Sequence, residues 1–165
     1  MIILQPRPLT IEAFAPYGDV LETGAAHELR HINYGNTDRY HDVAALDVLA
    51  EGGQPLVSIF RSRPLPRPIA VTVMERHPLS SQAFYPLSQH PYMVVVAEAG
   101  EFDAGKLQAF IASGTQGVNY RKGTWHHYSL ALDKPCDFLV IDRGGPEKNC
   151  DEVFLDGANI RTVNY

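Results

Sequence analysis

The run Tyr92 to Ala97, read YMVVVA, constrains this fold more than any other stretch. It is a continuous apolar segment, consistent with a strand covered on both faces. Other strand-like runs lie around it. They are Leu56 to Phe60, Ile69 to Met74 (IAVTVM, rich in β-branched residues), Leu107 to Ala112, Trp125 to Leu132 and Phe138 to Ile141. Gly and Pro punctuate these runs at intervals of roughly a dozen residues, which predicts a sandwich or barrel rather than βαβ units. Thr10 to Phe14 reads as one short helix, with Thr10 as N-cap and Pro16 and Gly18 ending it. Asp42 to Ala50 fits helix and strand equally. Arg63 to Pro68 holds three prolines in six residues. The strand-like segments on both sides make it an extended loop inside one domain rather than a linker. With 165 residues and no internal repeat, a single domain spanning 1–165 is expected.

Composition narrows the partners. Apolar residues make up 45%, enough for a real core, and the net charge is −5. An acidic chain is poorly suited to displacing counterions from phosphates, so no nucleic-acid partner is expected. Cys136 and Cys150 show no CxxC spacing. They read as neither a disulfide scaffold nor a zinc ribbon, and as inert thiols in a reduced, cytoplasmic setting. The start, MIILQP, lacks the charged and long apolar regions of a signal peptide. No apolar run approaches the ~20 residues that span a bilayer, so no membrane partner is expected.

Two segments carry the chemistry. In Met74-Glu75-Arg76-His77-Pro78, side-chain alternation would place Val71, Val73, Glu75 and His77 on one face, with Gln82 five positions beyond His77. A carboxylate and an imidazole ending an apolar face suit the mouth of a barrel pocket. In Gly123-Thr124-Trp125-His126-His127, Gly123 suits a tight turn that delivers His126 into the next strand. Alternation would then group His126 with Tyr128, Leu130 and Leu132, and would turn His127 with Trp125 and Ser129 to the outer or interface side.

These segments resemble the two cupin motifs, one built on HxH followed by Glu, the other on Gly-x-x-His. Here the matching positions are Glu75, His77 and Gln82, then Gly123 and His126. Glu75 stands in place of the first His, and Gln82 in place of the Glu. A neutral amide oxygen is a weaker ligand than a carboxylate, which leaves Glu75, His77 and His126 as the principal metal ligands, with Gln82 a fourth ligand or a substrate donor. The longer stretches MERHPLSSQAFYPL (Met74 to Leu87) and QGVNYRKGTWHHYSLAL (Gln116 to Leu132) are similar to the signature regions of ureidoglycolate lyases. FAPYGDV, Arg39 to Asp42, SIFRSRP and DFLVIDR extend the likeness in order along most of the chain. The resemblance implies a mainly β, cupin-type double-stranded β-helix (jelly-roll) barrel with few short helices. It also implies a homodimer acting in allantoin (purine) catabolism, with a divalent metal, nickel, and no organic cofactor.

The substrate of such an enzyme is a hemiaminal. A base takes the hydroxyl proton, the C–O bond gains double-bond character, the C–N bond breaks, and an acid protonates the departing urea nitrogen. Histidine can give or take protons near neutrality, so His77 and His126 are the expected acid–base pair, with Glu75 orienting or sharing that work. Arg61 could clamp the substrate carboxylate, although a surface ion pair explains it equally well. Lys122 could add positive charge at the rim. His27, His31 and His90 read as surface residues, His41 beside Asp42 as a loop pair, and Trp125 and Tyr120 as core or dimer-contact aromatics. Two rival readings stand beside the lyase: an amidohydrolase releasing ammonia and carbon dioxide from the same substrate, and a non-catalytic cupin binding a small acid. The incomplete His/Glu set speaks against an iron dioxygenase.

Overall fold

A computed structural model describes residues 2–165 and shows two β-sheets packed face to face. One sheet runs Gly18–Leu21, Gly117–Tyr120, Gln82–Pro86, Cys136–Gly144, Gln54–Ser62 in spatial order. The other runs Asp151–Phe154, Val73–Arg76, Trp125–His126, Tyr92–Ala97, Gln108–Ala112, Arg7–Pro8. Followed along the chain from Gln54, the strands of these two sheets pass from one to the other, save for the Tyr92–Ala97 and Gln108–Ala112 hairpin and for Trp125–His126 with Leu130–Ala131, which stay in one sheet. This is the jelly-roll path. A small third sheet, Ile2–Leu4, Arg161–Val163 and Ile69–Val71, lies apart from both. The only α-helix among the described residues is Ile11–Phe14. Its N-cap is Thr10, whose hydroxyl accepts the Ala13 amide hydrogen.

The central strand Tyr92–Ala97 is buried along its whole length because each face has its own core. Tyr92, Val94 and Val96 pack with Phe84, Phe110, Val118, Phe138 and Val140 between the two large sheets. Met93, Val95 and Ala97 pack on the other side with Ile69, Val71, Leu107, Trp125 and Val163, beneath the third sheet. Alternation fills both faces with apolar side chains, so the strand reads as an unbroken apolar run.

Two expected strands are broken, and the breaks matter for the site. Ile69 to Met74 is two strands, Ile69–Val71 and Val73–Arg76, that pair in different sheets. Thr72 sits at the break, where its carbonyl accepts the Leu155 amide. As a result Val71 and Met74 share the second core, and Val71 does not lie on the face of Glu75. Trp125 to Leu132 is likewise interrupted. His126 pairs with Val96, but Leu130 pairs with Met93. Four residues therefore advance on one strand against three on its neighbour, which is a one-residue bulge. After the bulge Leu130 and Leu132 point into the second core, away from the face of His126. Asp42 to Ala50 forms neither strand nor α-helix; it crosses the surface and ends in a 3-10 turn at Ala50–Gly52.

Phe138 is fully buried and meets Tyr92 and Phe84 edge-on at 5.0 and 5.9 Å between ring centres. Phe138→Ala empties the centre of the inter-sheet core. It is expected to lower unfolding free energy by about 3–5 kcal/mol in urea denaturation.

Candidate active site

The jelly-roll path brings distant segments together at one end of the inter-sheet space. Val96 belongs to the inter-sheet core, and His126 lies directly opposite it, so His126 faces the same interior. Glu75 is opposite His126 on the next strand and shares that face. His77 follows two residues on. From the facing sheet, Tyr120 points into the same core, and Gln82 is its cross-strand partner. The donor atoms of Glu75, His77 and His126 lie within 4.8 Å of one another.

His77 is held from both sides. Its Nδ1 donates to the Asn149 carbonyl at 2.7 Å, and its Nε2 lies 3.1 Å from Gln82 Oε1. The Asn149 side chain fixes this contact, accepting from the Leu79 amide and donating to the Ser80 hydroxyl. Gln82 in turn donates through Nε2 to Asp142 Oδ2 at 3.1 Å. A carbonyl and an amide oxygen are both acceptors, and a neutral imidazole has one donor nitrogen. The two contacts of His77 therefore close together only around a cationic ring, or around a cation clasped by Nε2 and Oε1.

His126 is 1% exposed and lies flat against Tyr120, with ring centres 4.1 Å apart at 3°. Its Nδ1 is 3.2 Å from the His127 carbonyl and 3.7 Å from Glu75 Oε1. Burial, with help from neighbouring His77, pushes its pKa down to about 3, against the hydrogen bond to the His127 carbonyl. His126 is thus a neutral imidazole at pH 7. Burial also raises Glu75 above the usual carboxylate range, opposed by His77 and reinforced by Glu152. Tyr120 is pushed up as well, by burial and then by the charge of Glu75.

The donor set fits a divalent metal ion. His126 Nε2 is buried without a hydrogen-bond partner. Two imidazoles and a carboxylate are good ligands for a transition ion, and Gln82 Oε1 converges on the same place as His77 Nε2.

The remaining candidates fall elsewhere. Arg61 is not brought to the cluster. Its guanidinium makes two hydrogen bonds to Asp137, at 2.7 and 2.8 Å, on the exposed part of the sheet. Asp137 precedes Asp142 by five residues on Cys136–Gly144, which places the pair about 16 Å along the strand from Gln82's partner. Arg61 is a surface ion pair here. Lys122 stands at the rim, paired with Asp47 at 3.0 Å, next to Gly123, whose amide donates to the His77 carbonyl. His127 is not on an outer surface. It is 2% exposed, because the bulge folds it under Tyr128, whose carbonyl lies 3.0 Å from its Nδ1. His31 is exposed on the hairpin Glu28–Ile32/Thr37–His41, paired with Asp38.

Four residues of the site had no reading as site residues from sequence. Asp142 follows Phe138 and Val140 at strand spacing, and Tyr120 follows Val118 in the same way, so alternation was a usable signal for both. Asn149 acts through its backbone carbonyl, which no side-chain pattern marks. Cys150, expected to be inert, places Sγ 3.9 Å from Glu75 Oε2. Both cysteines are free.

Comparison with known proteins supplies the context of this cluster. A family model described as ureidoglycolate lyase matches residues 1–161. The ureidoglycolate lyase of Burkholderia mallei (strain NCTC 10229) is 55% identical over 152 residues, covering 92% of this chain and 89% of that protein. That of Burkholderia cepacia is 55% identical over 157 residues, covering 94% and 88%. That of Brucella anthropi is 49% identical over 155 residues, covering 94% and 91%. Among solved structures, the Bacillus subtilis oxalate decarboxylase, described with Mn(II) centres, matches 66% of this chain and 29% of its own at 16% identity and a TM-score of 0.39, a likeness too slight to build on.

The His126 shift has a measurable sign. The unfolded ring protonates near ~6.5, the folded ring only near 3. Between these values the unfolded chain binds the extra proton, so this contribution to stability is complete above ~6.5 and is lost as pH falls towards 3. In metal-free protein, the stability difference between wild type and His126→Phe should shift against wild type by up to about 1.4 kcal/mol per pH unit below ~6.5. Urea titrations at pH 8, 6 and 5 measure it.

Proposed function

The chain belongs to the ureidoglycolate lyase family, and on that premise we propose that it cleaves ureidoglycolate into glyoxylate and urea by acid–base elimination across Glu75, His77 and His126. The observation that carries the mechanism is the convergence of these three donors at one end of the inter-sheet space, with burial moving the proton affinities of Glu75 and His126 in opposite directions.

The substrate carbon bears a carboxylate, a hydroxyl and the ureido nitrogen. Glu75, held by burial above the usual carboxylate range, accepts the hydroxyl proton as the C–O bond becomes a carbonyl. The C–N bonding pair leaves with the nitrogen. His77, its Nδ1 anchored by the Asn149 carbonyl, delivers a proton from Nε2 to that nitrogen, and urea departs. His126 is the wrong group for the acid because it is neutral at working pH; it contributes a lone pair to the cluster and a rigid wall with Tyr120. Gln82 positions the ureido group. Lys122, next to Gly123, whose amide donates to the His77 carbonyl, attracts the carboxylate. Glu75, His77, His126 and Gln82 are the residues that would hold a divalent ion. Such an ion would supply Lewis-acid polarisation of the substrate hydroxyl. We take nickel as the ion, a metal that imidazole ligands suit.

We also take the protein to be a cytoplasmic homodimer. The free thiols support a reducing compartment, and no helix among the described residues is long and apolar enough to cross a membrane. The edge strand Gln54–Ser62 exposes Leu56, Val57 and Ile59, a surface suited to a second copy.

Each positioned acid or base contributes ~10²–10⁴ in rate, so Glu75→Ala and His77→Ala should each lower kcat/KM at least ~100-fold while remaining folded. Urea and glyoxylate in equal amounts are the expected products. Ammonia in place of urea would mean an amidohydrolase, and tight binding without turnover would mean a non-catalytic small-acid binder. Chelator-treated protein should lose turnover, and added nickel should restore it more fully than zinc or manganese. Unchanged turnover after chelation would remove the metal from the reading.

A further inference from the structure

We propose that Asp142 is a positioning residue that sets which end of the Gln82 amide faces His77. The two ends of a glutamine amide have nearly the same shape and opposite chemistry: one accepts, the other donates. Packing alone does not choose between them. Asp142 does. It continues the interior face of Phe138 and Val140 along Cys136–Gly144, and Ile141 beside it pairs with Ala83, the neighbour of Gln82. Its Oδ2 lies 3.1 Å from Gln82 Nε2. Carboxylate oxygens accept hydrogen bonds, so the amino end of Gln82 turns to Asp142 and the carbonyl end turns to His77 Nε2, also at 3.1 Å.

The far side of the imidazole is already committed, because the Asn149 carbonyl requires the hydrogen on Nδ1. What Gln82 presents therefore decides what Nε2 can do. An amino group there would cap the Nε2 lone pair with a hydrogen bond and occupy the place where a substrate atom or a cation must come. An amide oxygen there cannot cap it. Instead Nε2 and Oε1 can share one positive partner between them: the Nε2 proton that passes to the ureido nitrogen, or a metal ion. Asp142 thus keeps His77 Nε2 able to hold and release that proton, or to meet a cation, without touching the reacting atoms. Its effect on turnover rests on the ureidoglycolate reading above; its effect on the orientation of Gln82 does not.

The experiment pairs Asp142→Ala with Asp142→Asn, whose side-chain carbonyl can still accept from Gln82 Nε2. In 15N-labelled metal-free protein, the Gln82 side-chain NH2 should give no strong NOE to the His77 ring protons in wild type or in Asp142→Asn. It should give a strong one in Asp142→Ala, where the amide turns over. The kcat/KM of Asp142→Ala should fall on the order of 10–100-fold, the range for losing an outer partner of a reacting imidazole. Asp142→Asn should stay within about threefold, less than 0.7 kcal/mol. An NH2-to-His77 contact in the wild-type spectrum overturns the proposal, and that measurement needs no variant to fold. Equal losses in both variants overturn it too, because the negative charge and not the orientation would then matter. The expected NOE pattern in a protein that does not turn over ureidoglycolate would leave the orientation standing and remove the functional reading instead.

Discussion

The strand Tyr92–Ala97 is the member on which the rest of the molecule is assembled. It is buried on both faces, so it must satisfy two cores at once, and its backbone must be paired on both edges. On one edge it holds Gln108–Ala112; on the other it holds Trp125–His126 and then Leu130–Ala131. Because Val96 faces the space between the large sheets, its partner His126 must face there too, and Glu75 beyond it. The position of the reactive cluster thus follows from the register of an apolar strand that contributes no chemistry of its own.

Polar groups placed in such a core need partners, and the site is organised by how each one finds them. His77 has an acceptor at each nitrogen, while His126 has one nitrogen without any. Glu75 faces an imidazole on one side and the Cys150 thiol on the other. The same burial moves Glu75 and His126 in opposite directions, favouring the uncharged form of each. Two groups with ordinary values near 4 and 6.5 thereby become a carboxylate that holds its proton more readily and an imidazole that scarcely takes one. Family membership names the substrate; this divergence makes the two residues chemically unlike.

Much of this was legible in the chain. The buried strand, the capped helix at Thr10 and the meeting of Glu75, His77, Gln82 and His126 all follow from local pattern and motif spacing. The failures have physical causes. Alternation assumes an unbroken strand, and both IAVTVM and the Trp125 to Leu132 run are broken, at Thr72 and after His126, because each half pairs with a different neighbour or in a different register. Arg61 has the right chemistry for a carboxylate, but strand pairing opposite Asp137 gives it one from its own chain. Asn149 acts through its main chain, and Asp142 through another side chain. Neither role is written in residue type, and each appears only once distant strands are side by side.

The bulge after His126 has a consequence for how this site can change over time. Upstream of the extra residue, the strand carries the His126 imidazole; downstream, Leu130 and Leu132 fill the second core. The bulge uncouples the two halves, since a shift of backbone position in one can be taken up in the irregular residues between them. Substitutions that repack the core around Leu130 and Leu132 therefore need not disturb the angle at which His126 meets Tyr120. A lineage could drift in its hydrophobic interior, or have it rebuilt by an engineer, while the geometry of the reacting groups is inherited unchanged.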